Sequence, residues 1–94
     1  MNFCGIALNT AKAGRKDALL AAARDHAEAL RRQPGCLAAY VLDQRDSLGQ
    51  VSISIFESEE AFHKALAATR PVIAAHRLES LLDGTTDFRF FDVR

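Results

Sequence analysis

Charge of one sign is not in excess in this chain of 94 residues: twelve Lys and Arg face twelve Asp and Glu, for a formal net charge of zero. That balance removes the electrostatic footprint that phosphate recognition usually leaves, so nucleic acid is not expected as a partner. No apolar run approaches the ~20 residues of a membrane span. Residues 1 to 8 lack a basic leader or a cleavage pattern, which makes the cytoplasm the expected location and a membrane an unexpected partner. The only cysteines, Cys4 and Cys36, form no C-x-x-C pair and have no cation or helix start beside them. Both read as small buried hydrophobes. No His, Asp and Glu set has metal-ligand spacing, no glycine-rich loop is built to cradle phosphate, and no nucleophile stands beside an obvious base. Function has to be sought in a pocket.

What is present is a sequence of periodicities. Phe3 to Leu8 is a short apolar run with the length of a strand covered on both faces. After the Gly14 turn the period becomes helical from Lys16 to Gln33, with Leu19, Ala23, Ala27 and Leu30 on one face and Arg24, Asp25, Glu28, Arg31 and Arg32 on the other. Pro34 and Gly35 stop that helix. Cys36 to Asp43 is a second strand, residues 44 to 50 a polar hairpin loop, and Val51 to Phe56 a third strand in which Val51, Ile53 and Ile55 alternate with Ser52, Ser54 and Phe56. Ser58 caps a second helix, with Glu59 and Glu60 at its positive end and Phe62, Ala65, Leu66 and Thr69 as its inner stripe. Pro71 marks either a kink or a fresh helical start. The helix is expected to resume from Val72 to Leu82, with Ala75, Leu78 and Leu82 aligned, and to close at Gly84 before a fourth strand from Thr85 to Val93.

The order β-α-β-β-α-β implies a ferredoxin-like α+β domain over residues 1 to 94, with two helices on one face of a four-stranded antiparallel sheet. Phe90 beside Phe91, and Val41 beside Leu42, put large apolar groups on both faces. The uncovered face therefore calls for a partner, and a second copy packed sheet to sheet is the simplest.

Gly14, the Pro34-Gly35-Cys36 entry to the second strand, and Phe56-Glu57-Ser58-Glu59-Glu60-Ala61-Phe62 together resemble the antibiotic biosynthesis monooxygenase domain. That family consists of small dimeric α+β barrels, and the similarity covers nearly the whole chain. It implies a pocket between helices and sheet in each subunit, in which several members oxygenate polycyclic aromatics or quinols without metal or flavin. Such substrates react with oxygen once deprotonated, so the protein must bind, orient, remove a proton and exclude water. A branch that degrades haem uses an Asn on strand one, a Trp on helix two and an iron-ligating His. Here the Trp position is Ala65, the chain has no Trp at all, Asn9 sits two residues too near Gly14, and His76 is one residue out of register. Haem is a minority reading, and no cofactor is expected.

Within this frame His26, between Leu19, Ala23 and Leu30 on the inward stripe, is the candidate general base. Tyr40 would donate to a substrate oxygen if its face is the helix side, and Asn9 at the end of strand one would orient a carbonyl. Phe62, Arg70 and His76 are the candidate substrate contacts, Arg70 for an anionic substituent at the pocket mouth and His76 alternatively as a surface partner of Glu79. The expected activity is a cofactor-independent monooxygenation of a small aromatic or quinol. The competing expectation is a non-catalytic module that binds or senses a small molecule, favoured by few polar groups on the pocket face.

Overall fold

The computed structural model describes residues 1–94. Its strands are β1 (Asn2–Thr10), β2 (Cys36–Asp43), β3 (Gly49–Phe56) and β4 (Asp87–Val93), and its helices are α1 (Lys16–Arg31) and α2 (Glu59–His76). The sheet order is β2-β3-β1-β4 with every neighbouring pair antiparallel, the ferredoxin-like arrangement. Helix α1 lies over β2 and β3 and α2 over β1 and β3, whereas every residue of β4 is exposed.

The register settles which face each side chain occupies. Phe3, Gly5, Ala7 and Asn9 of β1 pair with Phe56, Ser54, Ser52 and Gln50 of β3, and these eight face the helices. The apolar triad Val51, Ile53 and Ile55 therefore faces away from the helices, together with Tyr40 and Leu42 of β2 and Phe91 and Val93 of β4. Phe3, Phe56 and Phe62 anchor the core beneath the helices, with Ala27, Leu30, Ala39 and Ala65 around them. Phe62 packs on Phe3 at a centroid distance of 5.1 Å and edge-on to Phe56 at 5.7 Å. It comes this close because position 5 is glycine: a Cβ there would stand 2.8 Å from Phe62 Cε1.

Helix α2 begins as its cap residue dictates, with Ser58 Oγ accepting from the Ala61 amide at 3.1 Å. It runs through Pro71, and the Ala67 carbonyl that Pro71 cannot serve lies on the exposed side, within reach of water. The expected continuation to Leu82 is not found. Arg77 turns left-handed with φ 49°, a single 3-10 turn follows at Leu78–Ser80, and Ala75 is exposed. The physical reason is competition for backbone groups: Lys12 N donates to the Leu81 carbonyl and Asp83 N to the Thr10 carbonyl, so residues 81 to 83 extend the sheet edge instead of a helix. β4 accordingly starts at Asp87, two residues later than its sequence pattern suggests.

Candidate active site

Small side chains on the facing surfaces leave a cavity of about 280 Å³ between the helices and the sheet. Ala22, Ala23 and Ala27 of α1 and Ala39 of β2 line it where larger residues would fill it, and Phe62, Leu66, Phe88 and Phe90 supply apolar walls. Its volume lies near the lower end of the ~300–1,000 Å³ range of small-molecule pockets.

His26 enters this cavity from α1. Its Nε2 lies 2.9 Å from Thr69 Oγ1 on α2, and Thr69, which is 2% exposed, lies 2.8 Å from the Ala65 carbonyl. A hydroxyl has one hydrogen. Because Thr69 donates it to Ala65, its oxygen accepts from His26, which places a proton on Nε2 and leaves Nδ1 with the lone pair whenever the ring is neutral. No buried side-chain nitrogen or oxygen lacks a partner, and Nδ1 has none, so Nδ1 keeps contact with open space. Burial pushes the His26 pKa below its ordinary value of 6.5, which keeps the ring neutral at pH 7.

The sheet supplies a second polar element. Asn9 and Gln50 are directly opposed in the β1–β3 register, and Ser52 follows Gln50 on the same face. Thr86 donates to Asn9 Oδ1 at 2.6 Å, Asn9 Nδ2 donates to Gln50 Oε1 at 2.9 Å, and Gln50 Nε2 donates to Ser52 Oγ at 3.0 Å. Gln50 is fully buried, a placement tolerable only because both ends of its amide are bonded. All four residues, with Ser54, line the cavity. The pocket face is thus richer in polar groups than the sequence suggested.

The other candidates are scattered. Phe62 forms part of the wall, and the exposed Arg70 lines the cavity with no hydrogen bond or ion pair to the protein. Tyr40 also borders the cavity, but it pairs with Ile53 on the face turned from the helices and is 54% exposed, so it does not share a face with His26. His76 lies outside the cavity. Its Nε2 is 2.8 Å from Asp25 of α1, not paired with Glu79, because the helix ends between them and breaks the i,i+3 geometry. That placement does not fit an iron ligand in this cavity. Cys4 is buried and Cys36 half-buried, and burial pushes both thiols up, away from reactive thiolates. Sequence reasoning missed Thr69 as the partner of His26 and missed Gln50, Ser52 and Thr86. The available signal was the polar half of the β3 alternation, which turns out to be the half facing the helices.

Fold and site define a small α+β domain enclosing a mostly apolar cavity, with one neutral imidazole on the helix wall and a hydrogen-bonded polar chain on the sheet wall. The family model described as antibiotic biosynthesis monooxygenase matches residues 3–78, and the chain belongs to that family. Among solved structures, SnoaB, a cofactor-independent oxygenase from Streptomyces nogalater, is similar with a TM-score of 0.80 and 25% identity over 99% of this chain and 93% of its own. Rv0793 from Mycobacterium tuberculosis has a TM-score of 0.85 at 17% identity, covering 100% and 96% of the two chains. PA3566 from Pseudomonas aeruginosa has a TM-score of 0.81 at 22% identity, covering 96% and 91%. No curated protein matches the sequence. No helix is long and apolar enough to cross a membrane.

Proposed function

We propose that this protein is a cofactor-independent monooxygenase acting on a small fused-ring aromatic or quinol held between the helices and the sheet. The observation that carries this reading is His26, with Nε2 committed to Thr69 and Nδ1 open as a base in a mostly apolar cavity. Membership of the family and the likeness to SnoaB support it.

In such a reaction Nδ1 removes an acidic C–H or O–H proton from the substrate. The resulting delocalised anion gives one electron to dioxygen, and the two radicals combine to form a C–O bond. The peroxide takes a proton, and for a CH2 centre the second C–H proton leaves as the O–O bond breaks, giving a carbonyl and water. One oxygen atom enters the product and the other leaves as water. The protein's part is to orient the ring against Phe62 and the polar chain containing Asn9, to take and return one proton at His26, and to keep water from the carbanion. Arg70 at the rim suits an anionic substituent.

The functional unit in this reading is a homodimer packed through the outer sheet face, which carries Leu42 at 46% and Phe91 at 49% exposure in the single chain. Tyr40 belongs to that face.

The test uses anthrone, which has an acidic CH2 group. With oxygen-18 gas, wild-type protein is expected to accelerate oxygen uptake and yield anthraquinone carrying one labelled atom, while His26→Ala is expected to lose at least tenfold in kcat, the low end for a general base being ~100-fold. Unchanged turnover in His26→Ala overturns the assignment of the base. Tight binding of anthrone without any acceleration leaves a small-molecule-binding module in place of an enzyme.

A further inference from the structure

The polar chain on the sheet wall ends in a donor without an acceptor. Thr86 donates to Asn9, Asn9 to Gln50 and Gln50 to Ser52, so the bonds all run in one direction along the chain. Ser52 Oγ receives the last of these bonds, and its own hydrogen has no acceptor in the protein. Ser54, two residues further along the same face, is buried at 7% exposure and its hydroxyl bonds to nothing in the chain. Since no sealed polar side-chain atom lacks a partner, the Ser54 hydroxyl is open to the cavity, and Ser52, which is half-buried, lines the same cavity. A strand that turns Gln50, Ser52 and Ser54 toward the helix layer, and Val51, Ile53 and Ile55 away from it, forgoes apolar burial on its core side. The proposed dimer accounts for the apolar outer half of β3 but not for hydroxyls left without partners on the inner half. A ligand oxygen does.

We infer that Ser52 is a specificity-determining donor that reads a carbonyl or phenolic oxygen on the bound ring system, on the wall opposite His26. The inference rests on the proposed site and narrows its substrate class to fused rings bearing an acceptor oxygen as well as a removable proton. The directionality matters. Gln50 takes one of the two lone pairs of Ser52 Oγ while the hydroxyl hydrogen has no acceptor in the protein, so a ligand oxygen that accepts it completes the chain of donors. A hydrocarbon of the same shape strips water from Ser52 and returns no bond, and a site built this way discriminates against it.

The experiment measures equilibrium binding under nitrogen, where no oxidation occurs, with anthrone and with 9,10-dihydroanthracene, which has the same ring skeleton and no oxygen. Wild-type protein is expected to bind anthrone about tenfold more tightly, as for one hydrogen bond of ordinary strength. Ser52→Ala is expected to bring the two dissociation constants together, and Ser52→Thr, which restores a hydroxyl, to recover most of the preference. His26→Ala is expected to retain the preference while losing turnover in air. Equal binding of the two probes by wild type, or a preference undiminished in Ser52→Ala, overturns the inference. Preference for anthrone without oxidation of it in air refutes the proposed activity and still supports Ser52 as the reader of the oxygen.

Discussion

Replacing Thr69 with Val tests the arrangement of His26 with little change of shape, because a methyl takes the place of the hydroxyl. In the native protein Thr69 Oγ1 accepts the His26 Nε2 proton at 2.9 Å while donating to the Ala65 carbonyl at 2.8 Å. Valine removes both. The Ala65 carbonyl retains the ordinary helical bond of its turn, so the main loss falls on His26, whose buried N–H or lone pair is left facing a methyl group. An orphaned buried group of this kind costs about 1–3 kcal/mol. The low half of that range applies because the ring can exchange tautomers and place its proton on Nδ1, toward the cavity. For a domain of this size about 1 kcal/mol corresponds to roughly 4–8 °C in Tm, so a cost of about 1–2 kcal/mol lowers Tm by ~4–16 °C. Nitrogen-15 spectra of the imidazole supply the readout that mere destabilisation does not move. Wild type is expected to show a protonated Nε2 and a lone-pair Nδ1, Thr69→Ser to preserve that pattern, and Thr69→Val to show a mixture or its reverse. Since the imidazolium needs acceptors at both nitrogens, Thr69→Val is also expected to lower the His26 pKa further. A Thr69→Val protein with wild-type Tm and an unaltered imidazole spectrum refutes the reasoning that Thr69 sets the tautomer.

Gly5→Ala is expected to destabilise the fold by about 1–3 kcal/mol, measured by urea unfolding, because the added Cβ meets the Phe62 ring at 2.8 Å and the ring must move into the cavity. His26 makes stability depend on pH with a defined sign: its pKa is depressed by burial, so the unfolded chain takes up the proton first as pH falls. The stability lost by wild type relative to His26→Gln is expected to begin near the ordinary pKa of 6.5 and to level off below the depressed folded value; a difference that is flat from pH 8 to pH 5 contradicts a buried neutral imidazole. Phe91→Asp, on the outer sheet face, is expected to weaken the proposed homodimer at least tenfold by sedimentation equilibrium, since a two-fold axis brings the substitution in twice and each half-exposed ring contributes about half of the ~1.5–3 kcal/mol of a fully buried one.

Much of the architecture was legible because it rests on local signals: the alternation of β3, the Ser58 cap, the Pro34-Gly35 stop. What could not be read was orientation. Val51, Ile53 and Ile55 are the apolar half of β3, and taken alone they suggest the buried half, yet Phe56, Ser54 and Gln50 are the residues under the helices. The same uncertainty of face governed Tyr40, whose pairing with Ile53 turns it outward. His26 was legible as inward because a helical stripe has only one buried side. Its partner was not, since Thr69 lies 43 residues away on another helix. The end of α2 was misjudged for a non-local reason too: the backbone of residues 81 to 83 pairs with the end of β1, and no periodicity within the helix announces that.

The cavity itself follows from the same placement of residues. Alanines occupy the centre of the α1 stripe and position 39 of β2, so the layers are held apart by Phe3, Phe56 and Phe62 at one end while the other end lacks side chains to fill it. Phe88 and Phe90 face this space from β4, and although Phe62 of α2 packs edge-on against Phe90 at 5.9 Å they remain 58% and 52% exposed. A void lined by apolar atoms forfeits dispersion contacts on its inner surface. A ring system seated against Phe62, Phe88 and Phe90 restores those contacts and covers the exposed faces of β4, so the ligand acts as the missing part of the core. Binding and folding are then linked: a ligand present at 100 times its dissociation constant stabilises the folded state by about 2.7 kcal/mol. The hydrophobic contribution of that linkage belongs to any flat apolar molecule of suitable size. In the proposed function selectivity has to come from the few polar groups that the apolar walls do not mask, which would place the choice of ligand on the β3 serines and the choice of reaction on His26.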